Sequence, residues 1–266
     1  MSTDTASTPA EPQLAPDPLP RKGLLYPFAF WTRAVLAVMW FLFSSAAGIV
    51  FSLVKPGDPT NSRRFSRLNS WLGLKILGIH VELVGRETMW SSRPCVFVTN
   101  HQGNEDVFIH GWVFPTRSVV TGKRELIKIP LFGWMFKNMG NIMLDRANHR
   151  SSVQTLEAAA ERIRKEELSV WIFPEGTRNR NRQMLPFKRG GFHLAVLAQV
   201  PVVPIATQQY LGILDFKSRS IHRGTIHVEV LEPISTAGMT EADVATLAAR
   251  ARTAIAEALE RMGPAH

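Results

Sequence analysis

The chain has 266 residues, 45% apolar and 20% charged, enough for one large α/β core; that excludes wholesale disorder and leaves no room for a second catalytic domain. Its 31 Lys and Arg against 22 Asp and Glu give a formal +9, which favours polyanions: nucleic acid, an anionic bilayer or phosphorylated substrates. The single cysteine, Cys95, excludes an intrachain disulfide, and its neighbours Val96 and Phe97 mark it as a buried strand residue rather than a nucleophile.

Residues 1–22 carry Pro9, Pro12, Pro16, Pro18 and Pro20 among Ser, Thr and Ala, which predicts a flexible tail; no basic start runs directly into an apolar core as in a signal peptide. Residues 34–54 are uncharged and include Trp40, Phe41, Phe43, Ile49 and Phe51. As a helix they are long enough to cross a hydrocarbon core of about 30 Å. Cations flank both ends, Arg21, Lys22 and Arg33 before and Lys55, Arg63, Arg64 and Arg67 after, so charge gives no orientation. After a break at Pro56-Gly57, residues 61–78 interleave Phe65, Leu68, Leu72 and Leu74 with Arg63, Arg64, Arg67 and Lys75. That is the pattern of a basic amphipathic helix suited to lipid headgroups. Residues 23–78 are therefore expected to anchor the chain in a membrane, as a span plus an interfacial helix or as a hairpin re-entering one leaflet. A buried hairpin in a soluble domain is the alternative.

From residue 79 onward, β-rich runs at 79–84, 95–99, 118–121, 170–173, 202–207 and 225–231 alternate with helical stretches. Ser151 reads as the N-cap of a helix through Leu156, Ala160 and Ile163. A C-terminal helix places Val244, Leu247, Ala248, Ala251, Ile255 and Leu259 on one face. The expected fold is α/β, a mixed, largely parallel sheet flanked by helices, filling a catalytic domain over residues 79–266.

Two of these strands run into polar loops. The first carries Asn100-His101-Gln102-Gly103-Asn104-Glu105-Asp106. A neutral imidazole can take a proton from a hydroxyl, and a carboxylate on its other nitrogen fixes the tautomer and stabilises the imidazolium. Positions five apart lie about 140° apart on a regular helix, so the two meet only across an irregular loop. Gly103 supplies conformational freedom there. The pair also fits an ordinary helix cap. The second loop carries Glu175-Gly176-Thr177-Arg178-Asn179-Arg180-Asn181-Arg182, with guanidinium and backbone N–H groups of the kind that hold phosphate; a solvated basic turn fits the same composition. A third apolar run, residues 140–144, ends in Asp145-Arg146, by itself an ordinary surface ion pair.

Taken together, His101 and Asp106, Arg146, the Glu175 to Arg178 loop and the run Val200-Pro201-Val202-Val203-Pro204-Ile205 have the order and spacing of the glycerolipid acyltransferase motifs. So do Gly122-Lys123, Ile129-Pro130-Leu131-Phe132-Gly133 and Leu185-Pro186-Phe187-Lys188-Arg189-Gly190-Gly191-Phe192. The sequence resembles the 1-acylglycerol-3-phosphate (lysophosphatidate) acyltransferases over roughly residues 79–231. The resemblance implies acyl transfer from acyl-coenzyme A or acyl-carrier protein to the sn-2 hydroxyl of 1-acylglycerol 3-phosphate, giving phosphatidate for phospholipid biosynthesis. It implies His101 as general base and Asp106 as its orienting group, with direct attack and no acyl-enzyme. It also implies Arg146, Glu175, Gly176, Thr177 and Arg178 as the glycerol phosphate set, Lys123 adding charge and residues 201–204 shaping a wall. No metal-ligand spacing is present, and no cofactor beyond the thioester donor is implied.

The implied partners are lysophosphatidate, the acyl thioester and membrane lipid. The implied location is a membrane, the inner or cytoplasmic one in a bacterium, with the catalytic domain facing the cytoplasm. Nucleic acid is rejected as a partner, because no nucleic-acid module accompanies the charge and the apolar segment would go unexplained. Other lysolipids or glycerol 3-phosphate are the alternative acceptors, and a lipid-binding protein without catalysis is the rival that is not an enzyme.

Overall fold

The computed structural model describes residues 26–144, 149–180 and 183–265; the expected tail at residues 1–22 and the candidate Arg146 lie outside them. The chain starts with two antiparallel helices, α1 (Tyr26–Val54) and α2 (Thr60–Leu77). It continues through β1 (Ile79–Val84), α3 (Arg86–Ser91), β2 (Val96–Thr99), α4 (Asp106–Val113) and β3 (Ser118–Lys123). A 3-10 turn (Arg124–Lys128) leads to α5 (Phe132–Asn138), β4 (Ile142–Leu144), α6 (His149–Glu166) and β5 (Ser169–Ile172). Then come α7 (Gly190–Ala198), β6 (Val202–Thr207), the short β7 (Leu214–Asp215) and β8 (Ser220–Ile221), β9 (Gly224–Val230) and α8 (Val244–Met262). Helix α6 begins at His149, so Ser151 falls in its first turn rather than at its cap; the N–H groups there have no intrahelical partner and tolerate serine.

Seven strands form one sheet in the order β1-β9-β6-β2-β5-β3-β4. Strands β6, β2, β5, β3 and β4 run parallel, while β9 pairs antiparallel to β6 and parallel to β1. The carboxyl ends of the five parallel strands therefore share one edge, where loops of an α/β sheet collect ligands. The central strands β2, β5 and β6 are buried at every position because both faces are covered. Phe97 and Trp171 point into a core shared with α2 and α4, whereas Val96, Val98, Val170 and Ile172 join α6, α7 and α8 on the other side. Leu247, Ala251, Ile255 and Ala258 of α8 are completely buried there, as their helical spacing predicts. The run at residues 200–205 enters β6, with Val200 and Val202 in this core and Val203 and Ile205 in the one shared with α2 and α4.

Helix α1 is packed the opposite way to a core helix. Its buried face is small and partly polar, with Ala37, Ser44, Ser45, Gly48 and Ser52 set against α2 and α5. Ser44 donates to Asn69 Oδ1 at 3.0 Å, and Trp40 Nε1 donates to Asn69 O at 2.9 Å. Trp31, Met39, Leu42, Phe43, Val50 and Leu53 face outward, joined by the exposed Trp71 of α2 and by Ile127, Ile129, Leu131 and Trp134 beside α5. An apolar surface of this breadth is unusual on a water-soluble monomer. At 29 residues α1 is about 44 Å long, more than a bilayer core needs.

Two of the arginines of α2 are engaged within the protein. Arg63 and Arg67 donate to the carbonyls of Phe114 and Trp112, capping the end of α4, and Arg67 stacks on the Trp112 ring at 4.0 Å. Cations suit that site because the last carbonyls of a helix are unpaired and its C-terminal end is electronegative.

Candidate active site

His101 follows central strand β2, and Asp106 is the first residue of α4. The loop between them is irregular, as their separation requires. Asp106 Oδ2 accepts from His101 Nδ1 at 2.6 Å, from Gln102 N at 2.8 Å and from Gly103 N at 3.2 Å. One oxygen thus both folds the loop and aims the ring. The other, Oδ1, accepts from the Tyr210 hydroxyl at 2.8 Å. The loop is further tied to the end of β6: Gln102 Nε2 donates to the carbonyls of Thr207 and Gln208, each at 3.0 Å, and its Oε1 accepts from Tyr210 N at 3.1 Å.

Gly103 is needed for room rather than for conformational freedom, since it does not adopt a left-handed backbone. A Cβ there would lie 2.0 Å from Glu105 Oε2 and 3.3 Å from the Tyr210 hydroxyl. The Glu105 side chain cannot simply swing away, because it is buried and accepts from Phe216 N at 2.8 Å.

The second motif loop follows β5, next to β2. Its Glu175 is buried and accepts from His101 N at 3.1 Å, Asn179 Nδ2 at 2.9 Å and Leu185 N at 3.0 Å. Asn179 N returns a bond to His101 O at 2.7 Å. Glu175 is therefore the internal brace of two loops, while Thr177 and Arg178 are exposed beyond it. Gly176 has φ +72°, a turn that favours glycine. The Arg178 guanidinium contacts Asn104 Oδ1 and faces the same cleft as His101, and Arg180 ion-pairs with Asp215 of β7. Lys123 ends β3 at the same sheet edge, exposed and paired in register with Leu144, two residues before Arg146.

A cavity of about 460 Å³ adjoins His101 and Asp106. It extends between α1, α2, α4 and α5, and Phe41, Phe65, Phe108, Phe132, Met135 and Phe173 are among the residues that line it. Residues 201–204, expected as a wall, supply none of that lining; Val202 and Val203 are completely buried in the sheet core. Phe173 stacks on the His101 ring with centroids 4.2 Å apart.

Three contributors were missed from sequence. Tyr210 lies 104 residues from its partner Asp106, with no local pattern to link them. His110 stands one helical turn after Asp106, a spacing that becomes readable once α4 is known to start there. The apolar wall from α1 and α2 belonged to a segment read only as an anchor.

Burial pushes the Asp106 carboxyl upward, but the nearby imidazoles of His110 and His101 and the hydrogen bond from His101 outweigh it and hold it well below the usual carboxylate range. The Tyr210 phenol is driven up by burial and by Asp106, so it stays a donor. Burial raises the Glu105 carboxyl and pushes the Cys95 thiol up to about 12, which leaves that cysteine inert. Because the folded-state value of Asp106 is depressed, its ionisation stabilises the fold above the unfolded value of about 4 and that contribution is lost as pH falls further. The unfolding midpoint of the wild type should therefore drop more steeply below about pH 5 than that of Asp106→Asn. Parallel curves in a denaturant titration would contradict this.

Residues 80–208 match the family model described as Acyltransferase. The 1-acyl-sn-glycerol-3-phosphate acyltransferase alpha of Homo sapiens is 39% identical over 214 residues, covering 80% of this chain and 75% of that protein. The Haemophilus influenzae 1-acyl-sn-glycerol-3-phosphate acyltransferase is 34% identical, covering 82% and 89%. The chain belongs to the 1-acyl-sn-glycerol-3-phosphate acyltransferase family. A Saccharomyces cerevisiae member is 30% identical over 246 residues, covering 89% of this acyltransferase and 79% of the yeast one. The crystal structure of the 1-acyl-sn-glycerophosphate acyltransferase PlsC from Thermotoga maritima shares the acyltransferase's fold, with TM-score 0.67 at 22% identity over 90% of this chain and 95% of that one.

Proposed function

We propose that the chain moves an acyl group from an acyl thioester, borne by coenzyme A or acyl-carrier protein, to the sn-2 hydroxyl of 1-acylglycerol 3-phosphate, giving phosphatidate for phospholipid biosynthesis. The observation that carries this reading is the His101–Asp106 pair, set in a cavity whose lining is mostly apolar and includes the Arg178 guanidinium. The apolar lining and the guanidinium match the hydrocarbon and phosphate parts of the substrates. The relatives' names as 1-acyl-sn-glycerol-3-phosphate acyltransferases support the same acceptor.

Asp106 is ionised, so Nδ1 of His101 carries the hydrogen of the 2.6 Å bond and Nε2 is left with a lone pair. The acceptor oxygen attacks the thioester carbonyl carbon as its proton passes to Nε2. The new C–O bond forms, the tetrahedral centre collapses, the C–S bond breaks, and the thiolate takes the proton back from the imidazolium. The two substrates and His101 balance the reaction. Asp106 stabilises the imidazolium in between, and Tyr210 and the loop N–H groups hold the carboxylate still.

Arg178, with the turn at Gly176 and Thr177, holds the glycerol phosphate in this reading. Lys123, at the end of β3, and Arg146 add charge in this reading, and Glu175 fixes the loop. A hydrogen bond to a charged group contributes roughly 1.5–3 kcal/mol, so Arg178→Ala should raise KM for the acceptor about 10- to 100-fold with a smaller change in kcat. An unchanged KM would remove Arg178 from the phosphate site. The outward face of α1 sits in lipid, which delivers both acceptor and product along the bilayer, and the catalytic domain faces the cytoplasm.

Detergent-solubilised protein should form phosphatidate from lysophosphatidate with at least one of the two donors. Failure with both, alongside transfer to glycerol 3-phosphate or another lysolipid, would reassign the acceptor.

A further inference from the structure

The transfer proposed above uses one histidine, yet a second lies against the same carboxylate. His110 Nε2 is 3.2 Å from Asp106 Oδ1, and the two side chains are 5% and 3% exposed. The approach is off the N–H axis, and among the described residues neither ring nitrogen of His110 has a well-directed hydrogen-bond partner. Aromatic rings enclose it: Trp171 and Phe173 stand edge-on with centroids 5.5 Å and 5.2 Å away. Phe173 also stacks on His101. The His101 side chain, by contrast, is 23% exposed and can reach a substrate.

We infer that His110 is a positioning residue that divides the Asp106 carboxylate between two imidazoles, and so keeps His101 unprotonated to lower pH than an undivided His–Asp pair would. The inference rests on His101 being the base. If His110 is protonated, its charge opposes a second cation at His101; if neutral, its Nε2–H draws on the electron density that Asp106 offers His101. Both effects have the same sign. The other titratable or charged groups around this helix are Glu105 at its start, Tyr210 from the loop after β6, and Glu175 and Arg178 from the loop after β5. From α2, uncharged Ser66, Ser70 and Asn69 meet α4, and Arg63 and Arg67 lie at its far end. None of these takes the place of His110 beside Asp106 Oδ1 except the neutral Tyr210 phenol.

The test is the pH profile of kcat/KM for the full-length protein in detergent, comparing wild type, His110→Leu and His110→Gln. Removing the second imidazole should move the acidic limb up by about 0.5–1 pH unit, a loss of roughly three- to ten-fold at about pH 6 relative to about pH 8.5. Gln keeps a neutral N–H and should give a smaller shift in the same direction. It also serves if the leucine variant does not fold. An unmoved limb in the folded variants, or an equal loss at every pH, would overturn the inference.

A substrate-free measurement separates this from the choice of acceptor. With 13C-labelled histidine, the His101 resonance, assigned by its disappearance in His101→Ala, should titrate at higher pH in His110→Leu. That shift in a protein inactive on lysophosphatidate would support the role of His110 while rejecting the acceptor. An unchanged titration would overturn the role whatever the acceptor.

Discussion

Replacing His101 by alanine should lower acyl transfer by about a thousand-fold or more while leaving the fold intact. The loss is large because the ring has two jobs in the proposed step. It accepts the hydroxyl proton and returns it to the thiolate, and among the described residues nothing else beside Asp106 is placed to do so: Tyr210 is held protonated, the His110 ring is buried at 5% exposure, and Cys95 is buried at the far end of β2. The fold should tolerate the change because Asp106 retains the Tyr210 hydroxyl and the N–H groups of Gln102 and Gly103, and the bonds to Glu175 and Asn179 use the His101 backbone. Circular dichroism and the unfolding midpoint check the fold, and phosphatidate formation checks the chemistry. Full activity in a folded His101→Ala protein would end the general-base assignment.

Removal of residues 1–78 should give an inactive, aggregating protein. The expectation rests on what α1 and α2 cover. Phe108 and Met135 are 4% and 1% exposed, and Gly73 of α2 and Gly48 of α1 approach them so closely that added Cβ atoms would lie 2.3 Å from the Phe108 ring and 2.4 Å from Met135 Sδ. Each large apolar side chain uncovered costs about 1.5–3 kcal/mol, so exposing this layer forfeits a large part of the stability of a domain held by about 5–15 kcal/mol. The cavity would also lose Ala37, Phe41 and Phe65 from its wall, and with them the surface proposed to hold the acyl chain. A soluble 79–266 fragment with wild-type activity would show that the helices only anchor.

These two expectations differ in how far sequence could carry them. Strands 79–84 and 202–207 were legible to the residue: the first alternates apolar and polar side chains, as a strand covered on one face does, and the second is a largely apolar run buried at every position. The C-terminal helix was legible because its apolar spacing has one periodicity to obey. Strand β4, with three residues, and the two-residue β7 and β8 carry too little pattern to stand out from loop. At the site, His101, Asp106 and the Glu175 to Arg178 loop could be found because each follows an apolar strand. The division of labour within that loop could not: Glu175 turns inward and Arg178 outward, and that depends on Asn179, Leu185 and His101 meeting in space. Gly103 was located correctly for a different reason from the one that holds, since the crowding by Glu105 exists only in three dimensions.

The inverted packing of α1 sets an order of events during synthesis. Its outer face is complete as soon as the helix leaves the ribosome, but part of its inner, small-residue face waits for α5, which begins at Phe132. At 5–20 residues per second that interval is on the order of ten seconds, far longer than helix formation takes. Throughout it, a nascent chain in water would display Phe43, Val50 and Leu53 with nothing to cover them. Lipid capture of the first helix would then precede folding of the sheet, and the bilayer would act as the template on which the rest of the enzyme assembles.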